Sequence, residues 1–308
     1  MGYDIIGDIH GHADKLEALL GRLGYALKSG AWRHPTRTVI FVGDLIDRGP
    51  GQLRTLNLVR AMCDAGSAEV AMGNHELNAI GWATPDPEAP DDRLRPRHGP
   101  RGLKNRKQHE AFLSEVGEDS AAHAGWIRWF ESLPLFIEKD DLRVVHACWD
   151  PKAVETLRGW LKPDDTLPNE AVHEAFRADQ PARHAIDVIL KGPEVALPGG
   201  FGFTDKDGHV RHEIRTRWWD PAATSFREAY IGPDAVEIPD VPLPEATAVP
   251  PPDRATFIGH YWLNPAAAPE PLTDQVACVD YSVAKGGPLV AYRFDGEDRL
   301  SPSKFVSA

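Results

Sequence analysis

The sequence predicts an α/β chain of short buried strands alternating with helices. Three observations predict it. Residues 3–6 (Tyr-Asp-Ile-Ile), 38–42, 69–72, 142–145 and 255–258 are brief apolar runs rich in β-branched residues, the pattern of buried strands. Segments with apolar residues near helical spacing lie between them. Polar residues, each beside a glycine, follow four of the runs abruptly, as expected where loops converge at the carboxyl ends of strands.

Taken in order, helices are expected at 12–23, 51–65, 107–116, 121–132 and 151–161, with more helix at 172–190 broken at Pro181. Residues 201–204 and 210–215 flank Asp207-Gly208, a strong hairpin signal. The proline-rich stretch 239–252 should run extended over the surface. The sequence after it returns to a buried strand, so it reads as a loop and not a boundary. There is no internal repeat. The expectation is one domain over residues 1–308, with insertions at about 83–107, 162–195 and 239–253.

Chemistry concentrates in Gly7-Asp8-Ile9-His10-Gly11, Gly43-Asp44-Leu45-Ile46-Asp47-Arg48-Gly49, Gly73-Asn74-His75-Glu76 and Gly259-His260, with His146 closing another strand. Glycine beside each ligand lets the backbone turn tightly and approach an ion or a phosphate. The oxygen and imidazole donors include no thiolate and suit hard or borderline divalent metals. They suffice for two ions if one aspartate bridges them. A lone Asp or His after a strand is more often a cap or turn residue, and only the ordered set reverses that.

GDxHG, GDxxDRG, GNHE, a strand-closing histidine and GH occur here in order. The set resembles the calcineurin-like metallophosphoesterases, in the branch of serine/threonine phosphoprotein phosphatases and bacterial diadenosine tetraphosphatases. The likeness runs from Tyr3 to about Gly296. Near its end, Val279-Asp280-Tyr281-Ser282 and Gly286-Gly287-Pro288-Leu289 look like that family's closing strand pair. The resemblance implies a four-layer sandwich, two β-sheets flanked by helices, with metals at one edge. It implies Asp8 and His10 on a first metal, Asp44 bridging, and Asn74, His146 and His260 on a second, with metal-bridged hydroxide as nucleophile. His75 would be the general acid, oriented by Asp47; Arg48 and Asn74 would hold the substrate phosphate, with Arg227 as a second arginine. Manganese is the expected metal, iron and zinc the others suited to the set. His146-Ala147-Cys148 replaces the usual His-Gly-Gly, so the nearby substrate wall should differ. Gly259-His260-Tyr261 lacks a second histidine, leaving the first metal with fewer protein ligands.

Composition points the same way. The chain has 308 residues, 42% hydrophobic, enough for a large core. No apolar run nears the roughly 20 residues of a membrane span, and Met1-Gly2-Tyr3-Asp4 enters the first strand with no signal peptide, so the expected location is the cytoplasm. Three scattered cysteines argue against a disulfide framework, with Cys148 read as a packing thiol. A net charge of −12 argues against a general nucleic-acid or membrane binder. Glu76 reads as a second-shell partner or as an ordinary first-turn helix acid. His34, His123, His173, His184, His209 and His212 read as surface residues.

Arg93, Arg95, Arg97, Arg101, Lys104, Arg106 and Lys107 run against the acidic average, in what looks like an inserted loop. It would either fold over the metals to meet substrate phosphates or pair with Asp86, Glu88, Asp91 and Asp92. Trp82, Tyr261 and Trp262 would stack a base or pack in the core. The expected partner is a phosphorylated substrate: phosphoprotein, small phosphate ester or nucleotide polyphosphate. A phosphomonoesterase of serine/threonine phosphatase type leads the functional reading. A dinucleoside polyphosphate (diadenosine tetraphosphate) hydrolase is the alternative, and a metal-bound scaffold comes third.

Overall fold

Nine strands build the core: β1 (Gly2–Ile6), β2 (Arg37–Phe41), β3 (Ala68–Val70), β4 (Phe136–Glu138), β5 (Leu142–Val145), β6 (Ala255–Ile258), β7 (Val276–Cys278), β8 (Val290–Phe294) and β9 (Phe305–Ser307). The computed structural model describes residues 2–204, 210–232 and 236–308. Successive strand side chains point to opposite faces, and in β1 both faces are apolar, with Ile5 and Ile6 each fully buried. A strand of that kind must be covered twice.

One sheet has the order β9-β8-β1-β2-β3, and the other the order β7-β6-β5-β4. β1, β2 and β3 are parallel, as are β5, β6 and β7, while β8 runs antiparallel to β1 and β4 antiparallel to β5. Register places Ile5 beside both Ile40 and Tyr292. These three pack with Val144, Phe257 and Ala277 of the other sheet, so the two sheets meet face to face. Ile6, Phe41 and Ala291 take the opposite face, where they join Leu16, Leu19 and Leu20 of α1 (Ala13–Arg22) and Leu56, Val59 and Met62 of α2 (Gln52–Asp64). Val145, Ile258 and Cys278 belong to the same cluster, which also holds Leu157 of the Pro151–Arg158 helix and Ile189 of the Pro181–Lys191 helix. The expected four layers are present.

The remaining α-helices among the described residues are α3 (Asn74–Ala83), α4 (Gly99–Val116), α5 (Ala121–Phe130), α6 (Pro151–Arg158), α7 (Pro181–Lys191) and the one-turn α8 (Phe226–Ala229). Pro181 opens α7 after a 3-10 turn over Asn169–Phe176, the expected break; proline suits a first helical turn, where its missing N–H is no loss. Among the described residues no helix is long and apolar enough to cross a membrane.

Three expectations need correction. Helix begins at Gly99 and not at residue 107, so much of the basic stretch is helical; Pro100 sits in the first turn, and Gly102 leaves the room its neighbour needs, since a Cβ there would lie 2.2 Å from the Arg97 carbonyl carbon. Residues 279–282 form no strand paired with the next one. β7 stops at Cys278 in one sheet and β8 starts at Val290 in the other, and positive φ at Ser282 and Gly286 turns the chain between them. Residues 210–215 split: Val210–Arg211 pairs with Phe203–Thr204, whereas Glu213–Arg215 pairs with Glu194–Ala196. The Asp207-Gly208 turn itself lies outside the described residues. Within 239–252 the only regular element among them is a short 3-10 turn, Glu245–Thr247.

Candidate metal centre

β1, β2, β5 and β6 end at one edge of the sandwich, and the loops that leave them carry Asp8 and His10, Asp44, His146 and His260. β3 delivers Asn74 and His75 as the first residues of α3. Close backbone approach requires glycine here: a Cβ on Gly43, whose φ is +101°, would lie 2.4 Å from Gly73 N, and one on Gly259 2.1 Å from Asp8 Oδ1. Left-handed backbone also gathers at this edge. His10, Asp44, Asp47, Arg48, His260 and Trp262 all have positive φ, a costly conformation for such residues that persists only where surrounding structure imposes it.

Asp44 joins two donor groups, His10–Asp44–His75 and Asp44–His146–His260, each with its ligand atoms within 4.8 Å of one another. That is the arrangement a bridging carboxylate needs. His10 Nδ1 lies 2.8 Å from Ile46 O and His146 Nδ1 2.9 Å from Val42 O, so each ring gives that hydrogen to a carbonyl and turns Nε2 toward Asp44, at 3.7 and 3.3 Å. Asn74 Oδ1 stands 3.2 Å from His146 Nε2. The Nε2 atoms of His10 and His260 are buried with no hydrogen-bond partner, the state of an imidazole awaiting a cation. Asp8 accepts the His260 backbone N–H at 3.2 Å, and the Asp280 carboxylate beside it accepts from Trp262 N and Ser282 N.

Charge follows from this crowding. Burial, then the neighbouring Asp280, pushes the Asp8 carboxyl well above the usual range. Burial would raise Asp44 too, but His146 and His75 hold it well below. His10 falls to about 3 through burial and the nearby His75. Burial works against a charged His146, yet the Asp44 carboxylate overrides it and lifts the ring to about 10.

A second set lies alongside. His75 Nδ1 meets Asp47 Oδ2 at 2.5 Å, and Asp47 Oδ1 meets His109 Nδ1 at 2.7 Å, all three buried. Burial opposes ionisation of Asp47, but His109 and His75 lower its carboxyl far below the ordinary range; Asp44 and Asp47 raise His75 despite burial. His109, on α4, escaped the sequence reading because the 107–116 segment looked like plain amphipathic helix. Glu76 accepts the N–H groups of Asp44 (2.8 Å), Leu45 (2.9 Å) and Gly73 (3.0 Å), tying the β2 and β3 loops together, so it is more than a first-turn helix acid.

Arg48 is exposed, with Cζ 4.4 Å from the Trp262 ring; Lys285 Nζ lies 4.0 Å from the same ring, and Trp262 itself is 5.9 Å from His10. Trp82 and Tyr261 are core residues. Arg227 does not join the site: it bonds Ile238 O and Asp240 beside a small apolar cluster. Arg215 is the arginine whose charge reaches His260, helping burial to push that ring well down. Arg215 lay in an expected hairpin, and nothing in its sequence context marks it. His123, expected at the surface, is a buried residue of α5. Cys148 is a buried packing thiol, its ionisation pushed well up by burial. The basic residues follow neither expectation as a group: Arg97 pairs with Asp119 and Arg106 with Glu118, acids beyond the stretch and not before it.

A family model described as calcineurin-like phosphoesterase matches residues 1–200. A "Bis(5'-nucleosyl)-tetraphosphatase, symmetrical" of Vibrio cholerae is 31% identical over 301 residues, 96% of both chains. The asymmetrical bis(5'-nucleosyl)-tetraphosphatase PrpE of Oceanobacillus iheyensis is 30% identical over 148 residues, 48% of this chain and 55% of that relative, so the match spans about half of the PrpE length. A solved protein serine/threonine phosphatase from Saccharomyces cerevisiae covers 100% of this chain with 79% of its own, at 14% identity and a TM-score of 0.49.

Proposed function

Because the chain belongs to the calcineurin-like phosphoesterases and is therefore a phosphate-ester hydrolase, we propose that it cleaves dinucleoside polyphosphates at a centre of two divalent cations. The observation that carries the substrate reading is the rim built on Trp262, where an aromatic ring lies beside His10 with Arg48 and Lys285 against it. An aromatic face suits a base, and two cations suit a chain of phosphates. The names of the relatives agree with that reading.

The donor chemistry fits the cations: buried oxygen and imidazole groups, two Nε2 atoms without partners, and one carboxylate common to both donor sets. Asp8, His10 and Asp44 would hold one ion, and Asp44, Asn74, His146 and His260 the other; manganese, iron and zinc all suit them. When bound, such a pair supplies Lewis acidity and a nucleophilic water near neutral pH. Arg48 grips the phosphate through a fork of N–H donors. His75 passes a proton from Nε2 to the leaving oxygen, since Nδ1 is committed to Asp47. The Asp44 and Asp47 carboxylates raise its pKa against burial and so favour the protonated ring.

The serine/threonine phosphatase reading, which the motifs alone put first, shares all this chemistry and differs only in the leaving group. The test is hydrolysis by manganese-loaded protein of diadenosine tetraphosphate beside a phosphothreonine peptide and an aryl phosphate, with His75→Asn excluding contaminants. Highest kcat/KM on the dinucleotide is expected. Preference for the peptide would overturn the substrate reading, and no turnover of any of the three would revive the scaffold.

A further inference from the structure

Arg95 behaves unlike the other basic residues around it. Its guanidinium is held by two neutral oxygens, Asn78 Oδ1 at 2.5 Å and Gln108 Oε1 at 2.7 Å, and its buried Nε has no partner. A guanidinium fixed by amides alone is oriented but not neutralised. On α7, Arg183 Nε and Lys191 Nζ both bond Asp187, each at 2.6 Å, so two cations share one carboxylate. Arg183 spends a further N–H on Ala175 O. Packing places the three cations in one neighbourhood: the Arg95 backbone N–H bonds Gly81 O at 3.0 Å, the Phe176 ring packs against Gly81, and Arg183 Cζ lies 5.9 Å from that ring. Burial, with Arg101 and Arg183, brings Arg95 down to about 10, and burial, with Arg183 and Arg95, lowers Lys191. Asp47, the other acid whose field reaches Arg95, is already bonded to two histidines.

The chain itself says where this surplus of positive charge lies. Asn78 is one helical turn beyond Asn74 on α3, and Gln108 precedes His109, which bonds Asp47. Arg95 is therefore bracketed between the first turns of α3 and the His75–Asp47–His109 set, and His75 is the residue proposed above to face the leaving oxygen. We propose that Arg95, Arg183 and Lys191 form an anion subsite that takes phosphate groups of the departing nucleotide. The substrate identity rests on the preceding proposal; the subsite's affinity for phosphate does not.

Two measurements separate them. First, Arg95→Met and Lys191→Met should each lower the ratio of kcat/KM on diadenosine tetraphosphate to kcat/KM on an aryl phosphate by about tenfold or more, the size of a charge-assisted hydrogen bond. Equal proportional losses on both substrates overturn the subsite. Second, inorganic phosphate should raise the Tm of chelator-treated protein, where the metal donors hold no cation, and the rise should vanish in both variants. No rise in the wild type, or an undiminished rise in the variants, overturns it. Without phosphate neither variant should be less stable, because each relieves repulsion among crowded cations; should one fail to fold, the other carries both readouts. A wild type that cleaves only monoesters, yet shows a phosphate-dependent rise that needs Arg95 and Lys191, refutes the dinucleotide reading and keeps the subsite.

Discussion

Asp4, in the middle of β1, and Asp8, in the loop that leaves it, bound one five-residue segment; both are buried, at 0% and 1% exposure, and they sit in opposite company. Asp4 accepts from Tyr25 OH and Arg37 Nε at 3.0 Å, and Arg293 Nε lies 3.2 Å away. Asp8 has one backbone N–H and, around it, the acids Asp280 and Asp44, with the His146 ring as the opposing charge. Burying a charge is tolerable only when opposite charge is buried with it. At the Asp4 end the chain supplies that charge itself. At the Asp8 end no arginine or lysine pairs with the carboxylate among the described residues, a deficit that fits the cations proposed above. The two ends of this segment thus contrast a buried carboxylate that the chain neutralises with one proposed as a metal ligand, although each is a lone Asp beside an apolar run.

The largest effect should come from the ligating end. Asp44→Asn removes the carboxylate common to both donor groups and should lower turnover of every substrate by ~1000-fold or more, equivalent to several kcal/mol of transition-state stabilisation. Elemental analysis should show bound metal lost, while the metal-free variant unfolds no more easily than metal-free wild type. Wild-type turnover in a metal-replete variant would sink the bridging assignment. Asp4→Asn should do the converse: about 3 kcal/mol of stability lost in urea unfolding, because Arg37 is left partly unpaired in the interior, with metal content and kcat unchanged. If Asp4→Asn also releases metal, the two ends are not independent.

A smaller effect separates orientation from ligation within the catalytic edge. His109 touches Asp47 and no metal donor, so it is a positioning residue for His75. His109→Leu should lower kcat by about tenfold on an alkyl phosphate, whose leaving oxygen needs a proton, and much less on an aryl phosphate with an acidic leaving group. His109→Asn, whose amide can replace Nδ1–H, should recover most of it. Equal losses on both esters would reduce His109 to packing against Phe112.

The proposed metal edge was legible because every donor but His146 stands next to a glycine that lets its loop turn, and because the motifs occur in a fixed order. Those signals are local. What stayed hidden depends on contacts across distance: His109 lies 62 positions from the Asp47 it holds, and Arg215 reaches His260 from a small ribbon whose partner strand is not its neighbour in sequence. The apolar runs announced the strands, and the face-to-face sheets followed from the family likeness alone. Residues 279–282 were misread because the reach of β7 into Cys278 and the crossing to β8 depend on which sheet each strand joins, and short apolar runs do not say. The basic stretch misled in the same way, since its partners Glu118 and Asp119 lie after it, beyond a helix that its prolines and glycines concealed.

The smallest effect probes the structural end at its rim. Asp295 pairs with Lys304 at 2.6 Å and with Arg37, and these partners hold its carboxyl down at about 2, below the ordinary unfolded value near 3.9. A carboxyl depressed on folding contributes stability that is complete above about pH 4 and is lost as pH falls through 2. Its side chain is 48% exposed, so solvent screens the pairs and the contribution should be under about 1 kcal/mol. Asp295→Asn should therefore lie slightly below wild type in Tm at pH 7, and the gap should narrow steadily between pH 4 and pH 2.5. A gap that persists unchanged to pH 2.5 would mean that the carboxylate charge is not its source. A loss at pH 7 as large as that of Asp4→Asn would show that Arg37 is anchored from its exposed side, and the neutralisation credited to Asp4 would belong to the rim.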